Sequence, residues 1–315
     1  MALELPFVTL DVFTTERYRG NPLAVVTIPK GTSPYPTQDQ KQRIAREFNL
    51  SETVFVHECR PDADDDGSNS SDPNRRHIDI FVTDAELPFA GHPTIGTAIH
   101  LLSQGITTLV TKAGPIGIQQ PRTGFVQAAI PHNTHLHARR LGDLPPDTIL
   151  PGDLSAVSAI RAAELAAPIF SIVRGMSFAL IELPSLDLLS RVTTSPAVFR
   201  ADALLDDGWR EDGIIGRYYY VRLGSPERDV VSIRSRMTLA FEDPATGSAA
   251  CALSSYLSLH DGPKEDRTVT YKIDQGVEMG RESNILVEVT TKNAKIDKVS
   301  LAGTATQVMR GYVSV

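Results

Sequence analysis

The chain alternates between two hydrophobic rhythms. Phe7 to Phe13 and Leu23 to Ile28 set apolar and polar residues in turn, the pattern of half-buried strands, with the polar turn Arg17 to Pro22 between them. Gln38 to Phe48 changes to a helical period, with Ile44, Ala45 and Phe48 on one face and Asn49 placed to end it. Ser51 to Val56 and His77 to Thr83 return to strands. In the second half, Ser155 to Ala166 reads as a helix. Phe178 to Leu183, Arg217 to Leu223, Val269 to Ile273, Asn284 to Val289, Val299 to Gly303 and Ala305 to Val315 read as strands. Two further apolar runs, Ala98 to Leu102 and Ala249 to Leu253, have helical character, so each half predicts several strands around one central helix: an α/β (α+β) protein.

With 315 residues the chain is long enough for two cores. Residues 131 to 153 carry Pro131, Pro145, Pro146 and Pro151, which marks a junction. The expected division is therefore 1–135 and 150–302 with a linker over 136–149, the last strand (303–315) rejoining the first half. Gly91-His92-Pro93-Thr94-Ile95-Gly96-Thr97-Ala98 and Glu242-Asp243-Pro244-Ala245-Thr246-Gly247-Ser248-Ala249 look like copies of one another, with positions 92 and 243 equivalent. Proline at the first helical position would leave backbone N–H groups exposed at a positive dipole end. Two such starts facing across a cleft would hold a small anionic substrate between a histidine and an aspartate.

Composition narrows the partners. A net charge of −7 and a pI near 5.6 argue against nucleic acid, which draws a basic face. No run approaches the roughly 18 apolar residues of a membrane helix, and the opening residues lack the basic and apolar regions of a signal peptide. Cys59 and Cys251 form no disulfide framework or zinc spacing, so a cytoplasmic protein is expected. Asp62-x-Asp64-x-Asp66-Gly67 imitates a calcium loop, but Pro73 stands where the bidentate glutamate is needed. It reads, with the rest of 60–76, as a solvated hairpin loop, and Asn69-Ser70-Ser71 as a sequon without consequence. His132, His135 and His137 lack partners at ligand spacing, and no dinucleotide, phosphate-loop or nucleophile-elbow motif occurs. No metal and no cofactor are expected.

The candidate chemistry begins with Glu52, which opens a strand with apolar neighbours; desolvation would raise its pKa toward neutrality, where one group can accept and donate a proton. A strand-edge glutamate facing water is the plainer alternative. His92 and Asp243 precede the two prolines; a turn histidine and an N-cap are their structural alternatives. Gly91, Gly247 and Ser248 would bring N–H and hydroxyl donors to a carboxylate or enolate oxygen, or merely shape helix starts.

Five blocks in register resemble the PhzF-like (phenazine biosynthesis-like) isomerases, which share the diaminopimelate epimerase-like fold. They are Asp11-Val12-Phe13 with Gly20-Asn21-Pro22-Leu23-Ala24-Val25; Asn49 to Val56; Glu86 to Thr94; Glu242 to Ala249; and Gln275-Gly276-x-x-Met279-Gly280-Arg281-x-Ser283. The resemblance implies two pseudo-symmetric domains, each a curved mixed sheet wrapped around a central helix, with the active site in the cleft between them. It implies general acid/base work for Glu52 and substrate positioning and proton handling for His92 and Asp243. It also suggests substrate contacts for Asn21, Ser51 and Arg281, although turn or surface roles explain those equally well, and a homodimer. Epimerases of this fold use two facing thiols, and here the equivalent positions hold His92 and Asp243, so a proton moved from one carbon to another fits better than inversion. A cofactor-independent isomerase of a small carboxylate-bearing metabolite is the expectation. An epimerase or dehydratase acting alpha to a carboxylate, or a non-catalytic binding or scaffold member, are the alternatives.

Overall fold

The computed structural model describes residues 3–59, 72–145, 149, 152–195, 197, 199, 201–210, 214–261 and 265–315. The calcium-like run 62–67 and the sequon 69–71 lie outside the described residues, as do Pro146 and Pro151 of the proline-rich junction. Two compact units form, one from residues 1–129 and 302–315, the other from 130–301.

The first unit contains β1 (Glu4–Val12), β2 (Asn21–Ile28), α1 (Gln38–Phe48), β3 (Thr53–His57), β4 (Arg75–Phe81), β5 (Glu86–Leu87) and α2 (Gly91–Leu101). It continues through β6 (Thr108–Thr111), β7 (Gly114–Arg122) and β8 (Phe125–Ala129). The second holds β9 (His135–Leu136), α3 (Ser158–Ala166), β10 (Ile169–Val173), β11 (Met176–Glu182), α4 (Leu186–Ser190) and α5 (Ala201–Leu204). Next come β12 (Ile214–Glu227), β13 (Val230–Thr238), β14 (Glu242–Asp243), α6 (Gly247–His260), β15 (Arg267–Gln275), β16 (Ser283–Lys292) and β17 (Lys295–Gly303). The final strand, β18 (Ala305–Ser314), pairs antiparallel with β1 in the first unit.

The strand pairings of the units repeat. In the first, β1–β2 is antiparallel, β2–β3 parallel, β3–β4 and β4–β5 antiparallel, β4–β6 parallel and β6–β7 antiparallel. In the second, β10–β11, β11–β12, β12–β13, β13–β14, β13–β15 and β15–β16 follow the same series of senses. Each unit thus has a mixed sheet and one helix that is apolar almost all round, the pattern of a helix buried on every side. In α2 only Ile99 and His100 are not fully buried, and in α6 Ala249 to Ser255 lie entirely in the interior.

Where the sequence carries strong punctuation, boundaries fall where expected. α1 spans Gln38–Phe48, capped at its start by a reciprocal Thr37–Gln40 box and ended by Asn49 in the left-handed conformation (φ 51°). α1 also carries an ionic contact into the interior: Lys41 pairs with Asp79 on β4, and His57 Nε2 lies 2.9 Å from the same carboxylate oxygen. Burial pushes Asp79 up, but His57 and Lys41 outweigh it and hold the carboxyl well below the usual range.

The helix starts differ from expectation. Pro93 is the third residue of α2, whose N-cap is Ala90, and Pro244 lies ahead of the α6 N-cap, Thr246. Neither proline occupies the first helical position. Three residues separate β5 from α2 and three separate β14 from α6, so Gly91 corresponds to Gly247 and His92 to Ser248. Counted from the strands, His92 and Asp243 are not aligned: His92 lies in a helix and Asp243 in a strand, where Leu87 is its counterpart.

Candidate active-site residues

In the first unit three elements bring their ends together. β2 and β3 run parallel with Ala24 opposite Thr53, which sets Asn21, the first residue of β2, near Ser51 and Glu52 just ahead of β3. Ser51 Oγ lies 3.4 Å from Asn21 Oδ1, Asn21 Nδ2 lies 3.5 Å from His92 Nδ1, and His92 Nδ1 lies 3.4 Å from Glu52 Oε2. Gly91 and His92, both buried, are the first two residues of α2, where helix geometry leaves N–H groups without an intrahelical partner.

Glu52 has an unusual setting. It does not open the strand, as the hydrophobic pattern suggests, but stands one residue before it. Its side chain is 16% exposed, its Oε2 is buried without a hydrogen bond, and Val54, Phe55, Ile78 and Ile80 of β3 and β4 are buried. Burial pushes the carboxyl up from its ordinary 4.5 to about 7, against a smaller downward pull from the Ser51 hydroxyl. The Asn21 amide nitrogen is a donor only, so His92 Nδ1 is the acceptor of that bond. The exposed-glutamate alternative does not hold.

Asp243, in β14 of the second unit, is not an N-cap; Thr246 takes that place and donates from Oγ1 to Asp243 Oδ2 at 2.5 Å. Gly247 is buried and Ser248 half-buried at the start of α6. Arg281 follows a turn in which its N–H donates to Gly276 O at 2.9 Å. That turn presses on the Asp243 segment. A Cβ at Gly276 (φ +73°) would fall 2.7 Å from Pro244 O, so only glycine fits. Cys251 is buried within α6, where burial raises its thiol pKa, and Cys59 is exposed.

Sequence spacing left the linker histidines without a partner; the fold supplies one. His135 Nε2 lies 2.8 Å from Asp206 Oδ2, and a ligand atom from each of His135, His137 and Asp206 fits within 4.8 Å. Hydrogen bonds already use the lone pair a cation would need. Asp206 N–H donates to His137 Nδ1 at 3.1 Å, so His137 Nε2 is the donor to Ser171 Oγ at 2.8 Å. Burial and the neighbouring His135 draw His137 down to about 4, against Asp206, and it stays neutral. The cluster joins β9 and β10 to the residues after α5. Two cavities of about 270 and 310 Å³ in the second unit share Arg222 and Asp261, and Arg222 is itself paired with Glu182 and Asp261.

The family described as phenazine biosynthesis-like protein matches residues 10–311. An uncharacterized isomerase of Mesorhizobium japonicum is 33% identical, with 98% of each chain covered. The trans-2,3-dihydro-3-hydroxyanthranilate isomerase of Pseudomonas fluorescens is 31% identical, again over 98% of each chain. The Bacillus anthracis phenazine biosynthesis protein of the PhzF family superposes with a TM-score of 0.72 over 99% of this chain and 100% of its own. At 22% identity that likeness speaks for the fold. A hydroxyproline epimerase from Agrobacterium vitis gives a TM-score of 0.57 at 14% identity, which places the same fold among epimerases.

Proposed function

This chain belongs to the phenazine biosynthesis-like (PhzF-like) family of isomerases, and from that premise we propose that it moves a proton within a small carboxylate-bearing metabolite without a cofactor. Glu52 takes the proton from one carbon of a conjugated system and returns it to another. His92 and Asn21 hold the reacting group against it, and the Gly91 N–H at the start of α2 donates to developing negative charge. Asp243, with Gly247, Ser248 and Arg281, contributes to binding and proton handling. The protein acts in the cytoplasm, and the homodimer that the resemblance implies belongs to the same reading.

One observation carries the reading: the Glu52 side chain, largely withdrawn from solvent, lies 3.4 Å from His92 Nδ1, and that burial pushes its carboxyl up to about 7. A group whose pKa matches the working pH is available in both forms, which is what a one-residue shuttle requires. An ordinary surface glutamate near 4.5 would be a poor acid at neutrality.

The first substrate to try is trans-2,3-dihydro-3-hydroxyanthranilate, the compound named for the relative above. Turnover is followed by absorbance and, in heavy water, by mass spectrometry. Glu52→Gln is expected to lose about 10³-fold in kcat with folding and substrate binding retained. Undiminished turnover in that variant removes Glu52 from the mechanism. Retention of the migrating hydrogen marks an internal shift, whereas stoichiometric deuterium at an inverted centre marks an epimerase.

A further inference from the structure

The repeated strand pairings give paired strand positions of one unit counterparts in the other. Phe81 and Thr238 end β4 and β13, opposite Thr53 and Arg217, so Glu52 corresponds to Gly216, Val54 to Tyr218 and Ile78 to Ser235. The second unit has therefore placed two polar side chains, each 0% exposed, where the first has apolar ones. Gln275, likewise 0% exposed, ends β15 beside Ser235. Buried polar groups cost stability unless satisfied, and these are.

The Gln275 amide uses every hydrogen-bonding site it has. Nε2 donates to the Asp243 carbonyl at 2.8 Å and to Thr246 Oγ1 at 3.1 Å. Oε1 accepts from Thr246 N–H and from Tyr218 OH, both at 3.2 Å. Tyr218 OH also lies 2.9 Å from Ser235 Oγ. The opposite amide orientation would set donors against donors, so the assignment is fixed. The chain of bonds ends at Thr246 Oγ1, which donates to the Asp243 carboxylate. Gly276, next along the chain, brings the same turn against the Pro244 backbone.

We propose that Gln275 is a positioning residue for Asp243: it fixes the Asp243 backbone directly and aims its carboxylate through Thr246, with Tyr218 and Ser235 locking the amide from beneath. This rests on the reading that Asp243 takes part in turnover. Nothing in the counterpart segment needs such a support, because Leu87 stands where Asp243 does.

Crystal structures of the wild type and Gln275→Leu test the positioning without any substrate. The Asp243 carboxylate is expected to move by about 1 Å or lose the Thr246 bond; an unchanged carboxylate overturns the proposal. Turnover of trans-2,3-dihydro-3-hydroxyanthranilate supplies the second arm. A displacement of that size lowers kcat by about 100-fold with KM little changed. Gln275→Leu should add no further loss in an Asp243→Asn background, because the two act as a unit. Additive losses overturn the proposal. Thr246→Ser, which keeps the hydroxyl, should hold near-normal kcat while Thr246→Val loses it; equal damage from both indicates packing alone and counts against it. Should Gln275→Leu fail to fold by circular dichroism, Gln275→Glu keeps the acceptor for Thr246 and Tyr218 and removes the donors to Asp243. Normal turnover in Glu52→Gln would defeat the acid/base reading while leaving the crystallographic result to decide Gln275 alone.

Discussion

The two units solve one topology with opposite treatments of polarity. One residue before β3 the first unit sets a carboxyl largely withdrawn from solvent, with Val54 and Ile78 buried in β3 and β4; at the corresponding position within β12 the second unit has Gly216, with Tyr218 and Ser235 buried in β12 and β13. In the first, the ionisable group is left short of hydrogen bonds and its proton becomes easy to keep near neutrality. In the second, the ionisable group lies on β14, and its neighbours donate to it and to its backbone. Desolvation tunes a group that must change protonation state; hydrogen bonds hold one that must stay in place. One topology thus carries a desolvated carboxyl in the first unit and a hydrogen-bonded one in the second.

The largest effect that tests this contrast is the pH dependence of turnover. If Glu52 begins the cycle ionised, kcat/KM rises about tenfold per unit up to about pH 7 and then levels, so at pH 5 it stands about 100-fold below the plateau. Ser51→Ala removes the hydroxyl that pulls the carboxyl down, so its midpoint should lie higher still. A midpoint near 4.5 in the pH–rate profile would show that burial does not tune this group.

Next in size is stability. Glu52 has a folded-state pKa above that of the unfolded chain, so between pH 4.5 and about 7 the native state retains a proton the unfolded chain releases. Stability therefore falls as pH rises through that window, and the full cost stands above pH 7. Glu52→Gln removes it. The variant should match the wild type in urea at pH 4 and exceed it at pH 8 by up to about 3 kcal/mol. A buried ionisable group that opposes folding is the ordinary pattern where activity and stability trade against each other. Equal midpoints at both pH values would contradict a desolvated carboxyl.

Much of this contrast was legible in the sequence, and the reasons differ by residue. α1 was readable to the residue because Thr37, Gln40 and Asn49 are local signals that act within one turn. Glu52 and His92 stood out through short motifs. Their approach to 3.4 Å is set by the parallel β2–β3 register and the entry of α2, which no local pattern encodes. Two prolines in similar motifs suggested matched helix starts, yet one lies inside a helix and the other before it; strand pairing, not motif spacing, fixes where each helix begins. β6 to β8, β10 and β13 escaped notice, although Gly114-Pro115 and Thr123-Gly124 mark the turns between β6, β7 and β8. Lys41 with Asp79, and Gln275 with Asp243, are 38 and 32 residues apart, so their pairing is a property of the fold alone.

The smallest test concerns the place where the second unit leaves no room for an acid. A Cβ at Gly216 would fall 2.3 Å from Met237 Cε and 2.9 Å from Phe178 Cδ1. Met237 is flexible and can yield, while the buried Phe178 ring is confined, so Gly216→Ala should destabilise by about 1–3 kcal/mol, the usual cost of overpacking. The cause is separable from any backbone effect by a double-mutant cycle. Met237→Ala opens space beside residue 216, so the pair should cost less than the sum of its parts by at least about 0.5 kcal/mol. Strict additivity in urea denaturation would place the cost elsewhere than the Met237 methyl. A coupled pair would show that the position equivalent to Glu52 is closed by packing in the second unit.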